Sequence, residues 1–407
     1  MRWWFRQQLY LQIIICIIIG ISLGLLLGDG AKALAPIGDA FIRLLKMLIV
    51  PLTFFTLVGG MTKMGDMRRL RTVGGMTLFY YVLTSLLAAT VGMIVALIIQ
   101  PGVGIKGLLK EGVAGEIKDF NFIENLVDWI PTNPIQAMAT TNMLQVIVFS
   151  LIFGFGLLAL GAKTEKLATL VNEGADLMIC ITDFVMKLAP YGILALTANL
   201  VGTLGTSMLM EVSRFIIADT LSIGIVLVCV YPLLIRLLGG LNPIRFYRNV
   251  APAMLVAAST TSSLATLPVS MRVAAKNLGV PEKIYGFTLP LGATVNMDGM
   301  AVSIGVIAVF ASNIYGLTIT PLLMFQFVFL GLVLSIGTAG VKSAGVIIST
   351  ILLQTLNLPL TLIPVLAALW PVIDIGHTTC NITGDLNVTC IIASRLKEMD
   401  KEIFSGR

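Results

Sequence analysis

Apolar runs about as long as a bilayer is thick recur along this chain, and they constrain its fold before any single motif does. Leu9–Leu27 is interrupted only by Gln12 and Ser22, residues 78–99 form a second run, and residues 215–235 a third in which Asp219 is the only charge. Each approaches the ~20 apolar residues that a membrane-crossing helix needs. One such run fits inside a soluble core; a chain full of them does not. The charged fraction agrees: 12% of 407 residues, against about a quarter in a soluble domain. The sequence therefore predicts a polytopic, all-α membrane protein.

The net charge of +6 raises nucleic acid as a partner, and the placement of the basic residues argues against it. Arg2 and Arg6 precede the first run. Lys63, Arg68, Arg69 and Arg71 lie between the second and third, and Arg236, Arg245 and Arg248 follow the sixth. Arg272, Lys276 and Lys283 precede the seventh, and Arg395, Lys397 and Lys401 come last. The connection after the third run is acidic, with Glu111, Glu116, Asp119, Glu124 and Asp128. Basic loops stay on the cytoplasmic side, so both termini are expected there, in the cytoplasmic (inner) membrane, and the charge reports topology rather than a nucleic-acid patch. The first run is too long for a signal-peptide core and is read as a retained helix. Cys16, Cys180, Cys229, Cys380 and Cys390 are dispersed among apolar residues without metal spacing and give no disulfide framework.

Six spans are expected near 9–28, 38–62, 76–100, 134–160, 173–198 and 211–237. The fourth is irregular, opening on Pro131-Thr132-Asn133-Pro134. Beyond about residue 250 two apolar segments break in the middle. Residues 253–279 break at Ser259-Thr260-Thr261-Ser262-Ser263, and residues 327–358 break at Ser335-Ile336-Gly337-Thr338-Ala339-Gly340. Their first limbs, about ten residues each, are too short to cross the hydrocarbon at 1.5 Å per residue, so they are read as re-entrant helical hairpins. Full-length helices near 284–312 and 361–394 follow them, giving eight transmembrane helices plus two hairpins. Hairpin, helix, hairpin, helix of opposite orientation is an inverted repeat, the arrangement that marks a transporter site at the bilayer midplane. Unwound backbone at that depth survives only where protein, water or ligand satisfies it; two small-residue helices packed together are the plainer explanation of the same pattern.

The seventh span carries Asn296-Met297-Asp298-Gly299, and the eighth carries Asp374, His377, Thr378, Asn381 and Asp385. Carboxylates inside apolar helices are costly and mark an ion or substrate path. Asp374, Thr378, Asn381 and Asp385 follow at intervals of four, three and four, which lines one helical face. Oxygen donors without His or Cys at ligand spacing suit a hard cation such as sodium rather than zinc. Tyr81, Thr84 and Ser85 share one side of the third span and are placed to complete an oxygen cage with Asp298; hydroxyls bonded to their own helix are the ordinary alternative.

These motifs, with the tip ending Ala265-Thr266-Leu267-Pro268, resemble the dicarboxylate/amino acid:cation symporter family, the glutamate transporter homologues, over essentially the whole chain. The resemblance implies a homotrimer in the lipid bilayer and an elevator-type transporter. Its scaffold part would cover about 9–62 and 134–198, and its transport part about 76–100 and 211–394. Carried over by position, it implies that Ser262, Ser263 and second-tip backbone from Val341 to Gly345 hold the substrate carboxylate. Asp374 would take the amino group, with Thr378 and Asn381 beside it. One Na+ would use Gly292, Asn296, Asn381 and Asp385; another, carbonyls of Thr294, Ser335, Ile336 and Thr338; a third, Tyr81, Thr84, Ser85, Asn296 and Asp298.

Three positions depart from the acidic-substrate members of that family. His377 stands where they place an Arg, Met300 where they place a Thr, and Lys342 where a Pro is common. A neutral imidazole cannot reproduce a two-pronged guanidinium–carboxylate pair. The expectation is thus a sodium-coupled symporter for a neutral or polar amino acid. The alternatives are an acidic amino acid or C4-dicarboxylate, with proton linkage through His377, and, in a different class, an ion channel. Asp374 favours an amino group on the substrate, since a buried carboxylate without a partner is expensive. No nucleophile–base pair supports an enzyme.

Overall fold

A computed structural model describes residues 9–62, 73–105, 127–336 and 344–406, and they are almost wholly helical. The N-terminal part contains α1 (Leu9–Leu27), α2 (Ala35–Thr62), α3 (Gly75–Ile99), the short α4 (Pro134–Ala139), α5 (Met143–Leu160), α6 (Glu165–Lys187) and α7 (Ala189–Ile225). A π-helical turn, Val226–Val230, joins α7 to α8 (Tyr231–Leu237). Then come α9 (Pro243–Thr260), α10 (Ser263–Lys276), α11 (Glu282–Val295), α12 (Asp298–Tyr315), α13 (Pro321–Ile336), α14 (Ala344–Thr355), α15 (Ile363–Arg395) and α16 (Lys401–Ser405).

Asparagine and serine start several of these helices. Asn133, Asn142 and Asn242 accept backbone N–H groups at the starts of α4, α5 and α9, and Ser262 does so for α10. Each satisfies one or two of the donors that a helix start leaves without an intrahelical partner. Thr261, at φ +48°, turns the chain between α9 and α10, which pack against each other.

Glycines set the closest helix approaches. Gly20 and Gly24 lie four residues apart on α1; a Cβ on Gly20 would lie 2.8 Å from the Leu194 carbonyl oxygen, and one on Gly24 2.7 Å from the Ala198 carbonyl oxygen and 2.8 Å from the Val201 Cβ. That stripe seats α1 on α7 as small-residue stripes seat membrane helices. Gly92 of α3 faces the Val302 backbone, and Gly305 of α12 lies against Ala89 and Met93, so α3 and α12 meet along their length. Every residue of α12 from Asp298 to Ile314 except Asn313 is buried. Large apolar side chains point outward instead, among them Leu26, Ile98, Val228 and Leu255. An apolar rim around a polar centre is the distribution that lipid demands.

Several boundaries differ from the expected ones. The fifth span, expected at 173–198, is divided: α6 stops at Lys187 and α7 starts with Pro190 in its first turn, where a proline's missing N–H costs nothing. The sixth, expected to start at 211, continues α7 without a break. The seventh, expected as one helix over 284–312, separates into α11 and α12 at Asn296-Met297. The helix at the first limb of the first expected hairpin has 18 residues, beginning at Pro243 rather than near 253. At 1.5 Å per residue it still reaches only about 27 Å, short of the ~30 Å hydrocarbon core. By length and apolarity the described residues offer five stretches able to cross a membrane, or six if the bent 360–395 segment counts as one, against the eight expected. Within the second expected span, Val50–Gly59 is a shorter apolar helix.

Candidate functional site

The break between α11 and α12 is the centre of the polar interior. Asn296 and Met297 adopt non-helical backbone while fully buried. A helix that stops and restarts inside a protein leaves carbonyls and N–H groups without ladder partners. One is met from α15: the Asn381 side-chain oxygen accepts the Gly299 N–H at 2.7 Å. The Asn381 amide N–H donates to the Met297 sulfur at 3.2 Å, and the Ser263 hydroxyl at the start of α10 lies 3.9 Å from the same sulfur.

Two carboxylates flank the break. Asp298 accepts the Ser85 hydroxyl at 2.9 Å and the Tyr231 hydroxyl at 2.7 Å. Asp385 accepts the Asn296 amide at 2.9 Å, and the Asn296 oxygen accepts the Thr84 hydroxyl at 3.2 Å. The Tyr81 hydroxyl donates to the Thr288 carbonyl at 2.8 Å. At Gly292 a Cβ would strike the Asp385 carboxylate and fall 2.6 Å from the Tyr81 oxygen, so only glycine leaves room there. The described ion pairs are Lys32–Asp29, Arg214–Glu211, Lys283–Glu398 and His377–Asp219. Neither Asp298 nor Asp385 has a basic partner among the described residues. Two deeply buried carboxylates held only by neutral donors carry charge that a cation can balance. The donors are all oxygen, which fits a hard cation, and no cluster of three His, Cys, Asp or Glu suited to a metal occurs among the described residues.

Along α15 the polar stripe continues away from Asp385 through Asn381, Thr378 and Asp374, all buried. His377 lies on the same face, its Nε2 2.8 Å from a carboxylate oxygen of Asp219 on α7. The Trp370 ring stands 5.3 Å from the imidazole, tilted by 45°. Gly345, at the start of α14, packs directly on that indole, with no room for a Cβ.

The structure thus brings Tyr81, Thr84, Ser85, Gly292, Asn296, Asp298, Asn381 and Asp385 together. Ser262 and Ser263 sit at the turn between α9 and α10. Met300 is buried one residue beyond Gly299. The Thr294 hydroxyl turns back to the Leu291 carbonyl, and that of Ser335 to Leu332. Ile336 ends α13. Thr338, Val341 and Lys342 lie outside the described residues. Sequence reasoning missed Asp219, Tyr231 and Trp370. Asp219 had a signal, as the single charge in an apolar run; Tyr231, just past the π-helical turn, and Trp370 had none beyond composition.

Residues 9–395 match the Sodium:dicarboxylate symporter family. The chain is 29% identical over 395 residues to the proton/sodium-glutamate symport protein of Bacillus caldotenax, covering 94% of this chain and 93% of that one. It is 30% identical over 413 residues to the C4-dicarboxylate transport protein of Pseudomonas fluorescens (strain Pf0-1), covering 98% and 91%. An oxygen-lined break in a buried helix, apolar helices around it and a match over almost the whole length converge: this chain is a multi-pass membrane symporter, not an enzyme, and belongs to the Sodium:dicarboxylate symporter family.

Proposed function

We propose that the protein is a sodium-coupled symporter that takes up an acidic amino acid across the cytoplasmic membrane. The observation that carries the sodium coupling is the pair Asp298 and Asp385, buried at a helix break among neutral oxygen donors and lacking a basic partner among the described residues. The sites are those of the sequence reading. Asn296, Asn381, Asp385 and Gly292 form one; Tyr81, Thr84, Ser85, Asn296 and Asp298 another; carbonyls of Thr294, Ser335, Ile336 and Thr338 a third. The substrate's amino group binds Asp374, flanked by Thr378 and Asn381, and its carboxylate meets the tips that contain Ser262, Ser263 and residues 341–345.

The relatives' names support an acidic solute over the neutral amino acid expected from sequence, since they are named for glutamate and for C4-dicarboxylates. A neutral, polar amino acid is the second reading, favoured by His377 and Met300 at the positions where a guanidinium and a hydroxyl would receive a carboxylate. The transport part (76–100 and 211–394) moves as an elevator against a scaffold (9–62 and 134–198) in a homotrimer with both termini cytoplasmic. The turn at Thr261–Ser262 between α9 and α10 supports that inverted-repeat architecture.

Competition for uptake in proteoliposomes tests the assignment, using glutamate, aspartate, succinate, glutamine and serine. Asp374→Asn is expected to weaken amino-acid binding by about tenfold or more, the scale of a lost charged hydrogen bond, while sparing any binding of succinate. An unchanged amino-acid affinity in that variant would remove Asp374 from the site.

A further inference from the structure

His377 is the only histidine in the chain, and both it and Asp219 are 1% exposed. A carboxylate–imidazole contact between two helices has a plain structural explanation, as two polar groups that satisfy one another. That explanation leaves three atoms over. Asp219 Oδ1, His377 Nδ1 and the Trp370 indole nitrogen are buried without hydrogen-bond partners among the described residues, whereas buried polar atoms are overwhelmingly paired. Trp370, Asp374, His377 and Asn381 follow at intervals of four, three and four along α15, so the unpartnered nitrogens share the stripe that holds the proposed amino-group and sodium ligands.

We propose that Asp219 is a specificity-determining positioning residue: it holds the proton on His377 Nε2 and so dedicates Nδ1, together with the N–H of the neighbouring Trp370 ring, to the distal group of the substrate. The proposal rests on the reading that places the substrate head at Asp374. A distal carboxylate can only accept, so both nitrogens facing it must donate. Trp370 always carries its proton; His377 Nδ1 carries one only when the ring holds two. An acidic solute therefore binds together with one proton from solvent, which sits on Nδ1 and leaves when the carboxylate leaves. The resulting imidazolium is balanced by Asp219, and the pair receives a carboxylate without the fixed surplus charge of a guanidinium. With one proton the ring offers a lone pair instead, which suits an amide N–H or a hydroxyl.

Few other charges bear on the ring. Asp374 lies three residues away on α15, and the Asp298 carboxylate is turned to Ser85 and Tyr231. Glu211 and Arg214 on α7 pair with each other. Helices α1, α3 and α14 carry no charged residue. The basic residues of α9, α10 and α11 sit at the ends remote from the α9–α10 turn, where Lys283 pairs with Glu398 and Arg245 reaches the Ser405 carbonyl.

The test compares wild type, Asp219→Asn, His377→Gln and Trp370→Phe in proteoliposomes, measuring KM for glutamate and for glutamine and the pH profile of glutamate uptake. Asp219→Asn is expected to raise the glutamate KM by about tenfold relative to glutamine. The glutamate profile should move toward acid by about one pH unit, while half-saturation by sodium stays within about twofold. His377→Gln should flatten the profile. Trp370→Phe keeps a ring and removes only the N–H, and it should weaken glutamate selectively even if the Asp219 variant does not assemble. Equal effects on both solutes with an unmoved profile would overturn the proposal and leave the pair as packing. If wild type carries succinate but neither amino acid, the amino-acid reading fails by itself. The dyad is then decided by the same variants on succinate against its monoamide.

Discussion

Asn296 donates to Asp385 and accepts from Thr84 in a segment where the backbone is itself unwound. Its neighbour Asp298 is held by two hydroxyls from different helices. Asp298→Asn keeps the shape but removes the charge and turns one acceptor into a donor facing hydroxyls. The expected result is a half-saturating sodium concentration raised by about tenfold or more, with substrate KM at saturating sodium little changed, read from sodium titrations of uptake. Tyr81, Thr84, Ser85, Asn296, Asp298, Asn381 and Asp385 were legible in the sequence because helical periodicity places them on single faces and because polar groups in apolar helices stand out. Asp219 and Tyr231 were not assigned, because their meaning comes from a partner on another helix, which no spacing within one segment encodes. His377 was legible as a departure, but the carboxylate that faces it was not.

At the scale of elements, the glycine stripe on α1 makes a clear demand. Gly24 faces backbone and Cβ atoms of α7 closer than a side chain permits. Gly24→Leu is expected to separate the two helices and lower the thermal unfolding midpoint in detergent by several degrees, as overpacking of a close interface costs about 1–3 kcal/mol. A midpoint equal to wild type would show that α1 does not seat on α7 through these glycines. Helix breaks were harder to read than helix faces. The Ser259–Ser263 interruption was visible because hydroxyls cluster at it, and the turn falls at Thr261–Ser262 within that cluster. The Asn296-Met297 break fell inside an expected span, because no proline marks the junction and an apolar run resumes directly after Gly299. The α6–α7 boundary fell inside an expected span, because Pro190 serves as a helix start rather than a kink.

The whole molecule is a set of apolar helices that bury one oxygen-rich seam formed by α3, α11, α12 and α15, with α7 supplying Asp219 and α8 supplying Tyr231. The class of the protein was plain from its apolar runs, but the number of crossings was not. Several apolar helices, Val50–Gly59, Pro321–Ile336 and Ala344–Thr355 among them, are shorter than a full crossing. The substrate was the least legible feature. It depends on a few side chains at one end of the seam, and the imidazole there reads differently once Asp219 is seen beside it. The central claim is that the seam couples an inward sodium gradient to uptake of a small acidic solute. The direct measurement is accumulation of labelled glutamate and aspartate by the purified protein in liposomes, with an imposed sodium gradient, a proton gradient, or neither. Accumulation above equilibrium under the inward sodium gradient, with none when sodium is absent or when neither gradient is imposed, is the predicted result. Accumulation driven by the proton gradient with sodium absent, or flux that never exceeds equilibration, would contradict the account.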